Sequence, residues 1–200
     1  MGAIKDSFNS GEACDILILT RALIEDLTQE GSLVEDTSAD LGTVQAGIAV
    51  PAAALLPRIT TARDLTESLR TATSFFVPDL QRSTAGQHIA RMLAALGLDK
   101  EIAANIREFP NGETAMQMLA THGRRGALGC TQMTEIRMTR GLNLVGPLPA
   151  EHTLSTVYTA AITTRAGQSE IARHFLSVLT GAASEQIRPR AASTHEPNNR

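Results

Sequence analysis

With 200 residues, 42% hydrophobic and 20% charged, the chain is an ordinary globular sequence, long enough for one domain or two small lobes around a real core. A formal charge of −3 excludes a general pull toward nucleic acid or anionic membrane, so any anion must be recognised locally. Aromatics make up 3%, with no Trp and Tyr158 as the one Tyr, which argues against base-stacking platforms and sugar-binding shelves.

In chain order, Gly2 to Ser10 reads as a short helix fragment and Ile16 to Leu19 as a strand. Ala22 to Gln29 is a helix with Leu23, Ile24 and Leu27 on one face, stopped by Gly31. Ser32 to Asp40 is acidic and polar, a surface segment. The β-branched run Val44 to Val50 is a strand ending at Pro51. Thr61 caps a helix carrying Leu65 and Leu69, and Phe75 to Val77 is a strand. Ala85 to Leu96 is a helix whose stripe is Ile89, Met92, Leu93 and Leu96, ended by Gly97.

Ile106 to Phe109 reads as a strand, and Glu113 to His122 as a helix capped by Asn111 and stopped by Gly123. Ala127 to Cys130, Leu142 to Val145 and Thr156 to Thr163 are strand-like. Ser169 to Leu179 is a helix with Ile171, Phe175 and Leu179 inward, ended by Gly181. Residues 189–200 are polar and without periodicity, which reads as a disordered tail. Strands alternate with helices throughout, pointing to α/β layers with mainly parallel sheets. The pattern begins mid-unit, since no strand precedes the first helix fragment.

Three junctions carry the functional signal. Ile16–Leu19 runs into Thr20-Arg21, Phe75–Val77 leads past Pro78-Asp79 to Ser83-Thr84-Ala85-Gly86, and Ile106 to Phe109 leads to Asn111-Gly112-Glu113-Thr114. A strand ending at a helix N-terminus offers free N–H groups and the positive end of the helix dipole to an anion. Three of them suggest a pocket built from neutral dipoles. Arg21 and Arg82 lie beside two of the clusters and read either as solvated helix-start residues or as clamps for a carboxylate or oxyanion. Gln132, at the end of a strand, is either an amide donor to the anion or a polar residue facing water.

Other chemistries lack their signatures. No phosphate-binding glycine loop followed by Lys is present, and Gly123-Arg124-Arg125-Gly126 precedes a strand rather than a helix. His88, His122, His152, His174 and His195 are scattered, without a metal-ligand spacing, and no Gly-x-Ser-x-Gly elbow occurs. Cys14 and Cys130 read as two buried thiols, with a bridge between them left open. No catalytic residue, cofactor or metal is assigned. No apolar run approaches the roughly 18 residues of a membrane span. Met1 to Ser10 has no apolar core, so the chain as written carries no signal peptide and is expected to stay in the cytosol.

Four segments, in order, resemble the periplasmic molybdate-binding protein family. Gly11-Glu12-Ala13-Cys14-Asp15-Ile16-Leu17-Ile18-Leu19 is similar to a turn and strand that end at a ligand serine. Asp79 followed by Ala85-Gly86 resembles a segment whose backbone N–H contacts the oxyanion. Leu128-Gly129-Cys130-Thr131-Gln132 looks like a strand ending in a ligand tyrosine, and Val178-Leu179-Thr180-Gly181 resembles a late helix of the family.

The resemblance implies a two-lobed type II periplasmic-binding-protein fold, with ligand between the lobes, serving an ABC permease as a monomer that performs no covalent chemistry. It implies lobe 1 in residues 1–47 and 158–188 and lobe 2 in 48–157. It implies a pocket of Leu19 or Thr20, Ala85 with Ser83 and Thr84 before it, Thr114 and Gln132; Arg21, from its own place beside Thr20, would then stand at the rim. The family's first strand and first ligand loop would lie before Met1, and a periplasmic location would need a signal there.

The departures from the family are Leu19 in place of the ligand serine, Gln132 in place of tyrosine and Thr84 in place of proline. They leave two ligands in play, an oxyanion such as molybdate or tungstate and a small organic carboxylate. The second goes with a cytosolic sensor or an isomerase-like enzyme on the same fold.

Overall fold

The computed structural model describes residues 2–185. In chain order these form α1 (Gly2–Asn9), β1 (Ile16–Thr20), α2 (Arg21–Gln29), β2 (Ala39–Pro51), α3 (Ala62–Thr71), β3 (Ser74–Pro78) and α4 (Thr84–Ala95). Then follow β4 (Ile106–Phe109), α5 (Gly112–His122), β5 (Ala127–Gln132), α6 (Met133–Met138), β6 (Leu142–Pro147), β7 (Ser155–Ile162) and α7 (Ser169–Thr180). The described chain divides into two units, residues 2–44 with 156–185, and residues 45–155. The expected tail at 189–200 lies outside the described residues.

In the first unit β1 runs antiparallel to β7, with Ile16 opposite Ile162 and Thr20 opposite Tyr158. The pleat sends alternate side chains of β1 to opposite faces. Leu17 and Leu19 pack with Phe8, Ile24, Leu27 and Leu33. Ile16 joins Ala160, Ile162, Ala172, Leu176, Val34 and Leu41 on the other side. Both faces of this short sheet are therefore covered within the unit, one by α2 and one by α7.

Two expectations fail here. The segment at 32–40 is not all surface: Leu33 bridges Thr163, and the buried Thr37 hydroxyl accepts the N–H of Ile162 at 3.2 Å. Helix α7 turns the other way from its expected face. Ile171 and Phe175 are 64% and 49% exposed and Leu179 is half-buried, whereas Ala172 and Leu176 are buried. The helix carries two apolar stripes, and the one holding the small Ala172 lets it sit close over Ala160.

In the second unit the strand order is β2–β5–β3–β4, with β6 also on β2. The expected parallel pairing holds for β3 with β4 and with β5, where α4 joins β3 to β4 and α5 joins β4 to β5. It does not hold for three other pairs. β2 is antiparallel to β5 and to β6, as β1 is to β7, because no strand–helix–strand crossover joins those neighbours. The strand β3 is buried on both faces, which is why it reads as an unbroken apolar run. Phe75 and Val77 meet Leu65, Leu69, Ile89 and Leu93 on one side, and Phe76 meets Ala115, Met116 and Leu119 on the other.

Candidate functional site

Since β4, β3 and β5 are parallel, their carboxyl ends share one edge of the sheet, and each runs into a helix start: β3 into α4, β4 into α5, β5 into α6. That edge is where open α/β sheets hold ligands. The loop after β3 is pinned by Asp79. Its N–H donates to the Phe109 carbonyl at 2.7 Å, and its Oδ1 accepts the N–H groups of Gln81 at 2.8 Å and Arg82 at 2.9 Å. Those backbone donors hold the Asp79 carboxyl below its usual range.

The first turn of α4 folds back on this loop. A Cβ at Gly86 would stand 1.9 Å from the Asp79 carbonyl oxygen, so only glycine lets the backbones approach. Ser83 caps α4, its Oγ accepting the Gly86 N–H at 2.8 Å, while Thr84 is exposed and Ala85 buried. At α5 the Asn111 Oδ1 accepts the Thr114 N–H at 2.8 Å, leaving the Thr114 side chain half-buried on the first turn. Gln132 closes β5, 5% exposed and opposite Ala46 of β2. Ser83, Thr84, Ala85, Thr114 and Gln132 thus all come to the carboxyl edge of β3, β4 and β5.

Thr20 and Arg21 belong to the first unit. Thr20 ends β1 in extended backbone and caps α2 without a side-chain bond. Arg21 opens α2 and is gripped by Asp40: Nε donates to Oδ1 at 3.2 Å and Nη2 to Oδ2. Asp40 also accepts the Thr159 hydroxyl at 2.7 Å, so Arg21 and then Thr159 hold its carboxyl below the usual range. The pair lines a cleft of about 360 Å³ with Thr28, Gln29 and Ser38. The guanidinium expected to clamp an anion is therefore engaged by a carboxylate of its own unit.

Two carboxylates are absent from the sequence reading, Asp40 and Glu135. Glu135 accepts the Thr131 hydroxyl at 2.5 Å and the backbone N–H of Gln132. Burial pushes its carboxyl up, against the pull of those two donors. The available signal was the four-residue step from Thr131 to Glu135 across a strand–helix junction, which has meaning only once the helix is placed.

Both cysteines are free thiols. Cys130 is fully buried and its thiol is pushed up to about 12 by that burial; Cys14 is raised chiefly by burial too. Neither supplies a thiolate near neutral pH. Among the described residues, no three His, Cys, Asp or Glu stand together as a metal site, and no helix is long and apolar enough to cross a membrane.

A family model described as bacterial extracellular solute-binding protein matches residues 2–190. An aconitate isomerase from a Pseudomonas species is 27% identical over 179 residues, covering 88% of this chain and 66% of that protein. This chain therefore spans just under two thirds of that relative's length. The periplasmic molybdate-binding protein of Azotobacter vinelandii superposes with a TM-score of 0.74 at 18% identity, over 98% of this chain and 84% of that one. A sulfate-binding protein from Mycobacterium tuberculosis does so with a TM-score of 0.74 at 14% identity, over 96% and 72%. At those identities the structural likeness establishes the fold, the two-lobed periplasmic-binding-protein type.

Proposed function

The chain belongs to the bacterial extracellular solute-binding proteins, and from that premise we propose that it is the substrate-binding component of an ABC importer, taking a small oxyanion such as molybdate or tungstate. The observation that carries this is the gathering of Ser83, Thr84, Ala85, Thr114 and Gln132 at one sheet edge, beside the N-termini of α4 and α5. These are neutral donors, suited to an anion that must be released again unchanged. Binding needs no nucleophile, and the buried Cys130 thiol offers none. On this reading the protein works outside the cytoplasm, where an importer collects its substrate.

A second reading, an enzyme or sensor acting on a small organic carboxylate, is favoured by the relationship to aconitate isomerase. It would use the same edge, and a cytosolic location would suit it.

Calorimetric titration with molybdate, tungstate and cis-aconitate separates the two. Tight oxyanion binding without turnover is the expected result, while binding or conversion of aconitate alone would select the second reading. Thr114→Val should weaken binding by about 1–3 kcal/mol, because a hydroxyl donor to the anion is removed. Unchanged affinity would take Thr114 out of the site.

A further inference from the structure

We propose that Glu135 is a positioning residue of the anion site, fastening the end of β5, which carries Gln132, to the first turn of α5, which carries Thr114, and tuning by its charge how tightly an anion is held there. The inference rests on the anion-binding reading above. Three elements meet on this one carboxylate. From β5, the Thr131 hydroxyl donates at 2.5 Å and the Gln132 backbone N–H donates as well. From α5, Gly112 lies so close that a Cβ would stand 2.2 Å from Glu135 Oε2 and 2.1 Å from Thr131 Oγ1. The third element, α6, supplies Glu135 itself.

A carboxylate against the first residue of α5 complements the positive end of that helix and holds it to the strand. The same charge meets any anion that arrives at the sheet edge. Two like charges at close range favour protonation of the one that can titrate, and burial already shifts Glu135 in that direction. Anion binding should therefore be linked to proton uptake by Glu135, and affinity should rise as pH falls.

Among the described residues the charged neighbours are few. Glu113 faces it from α5 and adds the same sign, and Arg140 lines with both a cleft of about 410 Å³. Arg137 lies on α6 itself, and β5 and β6 carry no charged side chain.

The test is calorimetry with molybdate between pH 6 and 8, in buffers of different ionisation heat, and with cis-aconitate at pH 8, where its carboxyls are ionised, joined to amide exchange on the ligand-free protein. Wild type should take up a fraction of a proton on binding and bind more tightly at pH 6 than at pH 8. Glu135→Gln, which keeps an acceptor and loses the charge, should abolish the uptake and the slope and bind more tightly than wild type at pH 8. Glu135→Ala should weaken binding about tenfold or more and speed exchange at Gln132 and the first turn of α5. A wild-type slope in Glu135→Gln, or unchanged affinity and exchange in Glu135→Ala, would overturn the proposal while leaving the anion-binding reading intact. If wild type binds neither probe, that reading fails and the charge-tuning falls with it; the exchange comparison still decides whether Glu135 holds β5 to α5.

Discussion

Gly112 shows how a single hydrogen atom in place of a methyl group sets the local geometry. Its backbone has no positive φ, so the requirement is one of space: Thr131 and Glu135 occupy the volume a side chain would need. Ala is the better helix former by about 1 kcal/mol, yet overpacking a filled site costs about 1–3 kcal/mol and should outweigh it. Gly112→Ala is thus expected to lower the thermal midpoint, and a raised midpoint would mean that Glu135 swings aside at little cost. Cap residues of this kind are legible in a sequence because they act within a few positions. Asn111 caps α5, and Thr61 forms a reciprocal capping box with Asp64, its Oγ1 accepting the Asp64 N–H at 3.1 Å. Glu135 and Asp40 are not legible, since their roles depend on partners that only folding supplies, Gly112 in one case and Arg21 and Thr159 in the other.

Among the elements, α7 separates what periodicity can reveal from what it cannot. The spacing of apolar residues shows a helix, but it cannot choose between the stripe Ile171, Phe175, Val178 and the stripe Ala172, Leu176. The sheet made the choice, taking the stripe with the smaller residue. Leu176→Ala should accordingly destabilise the protein by about 2–5 kcal/mol, the cost of a core cavity. Phe175→Ser, at an exposed position, should stay within about 0.5 kcal/mol of wild type in chemical denaturation. Equal losses at the two sites would mean that the outer stripe is covered in solution. Sheet direction escaped the sequence for a related reason. Alternation of strand and helix fixes direction only between strands that a crossover joins, as at β4, β3 and β5, and β2 pairs with strands remote in the chain.

For the molecule as a whole, the second unit is one continuous stretch, residues 45–155, whereas the first is built from two stretches that flank it. The continuous unit has its own cores on both faces of β3, with all their residues inside that stretch. A fragment of residues 45–155 should therefore unfold in a single cooperative transition by circular dichroism, while a fragment of residues 1–44 should show none, since β1 lacks β7. The same nesting gives the protein a schedule during its synthesis. As the chain leaves the ribosome, Leu17 and Leu19 emerge early and must stay out of wrong pairings until β7, which begins only at Ser155, has been made. Unit two clears the ribosome just before β7 does, so a pause at the moment residue 155 has emerged would leave a folded unit beside an unpaired first strand. That interval is when a chaperone for this chain has something to hold.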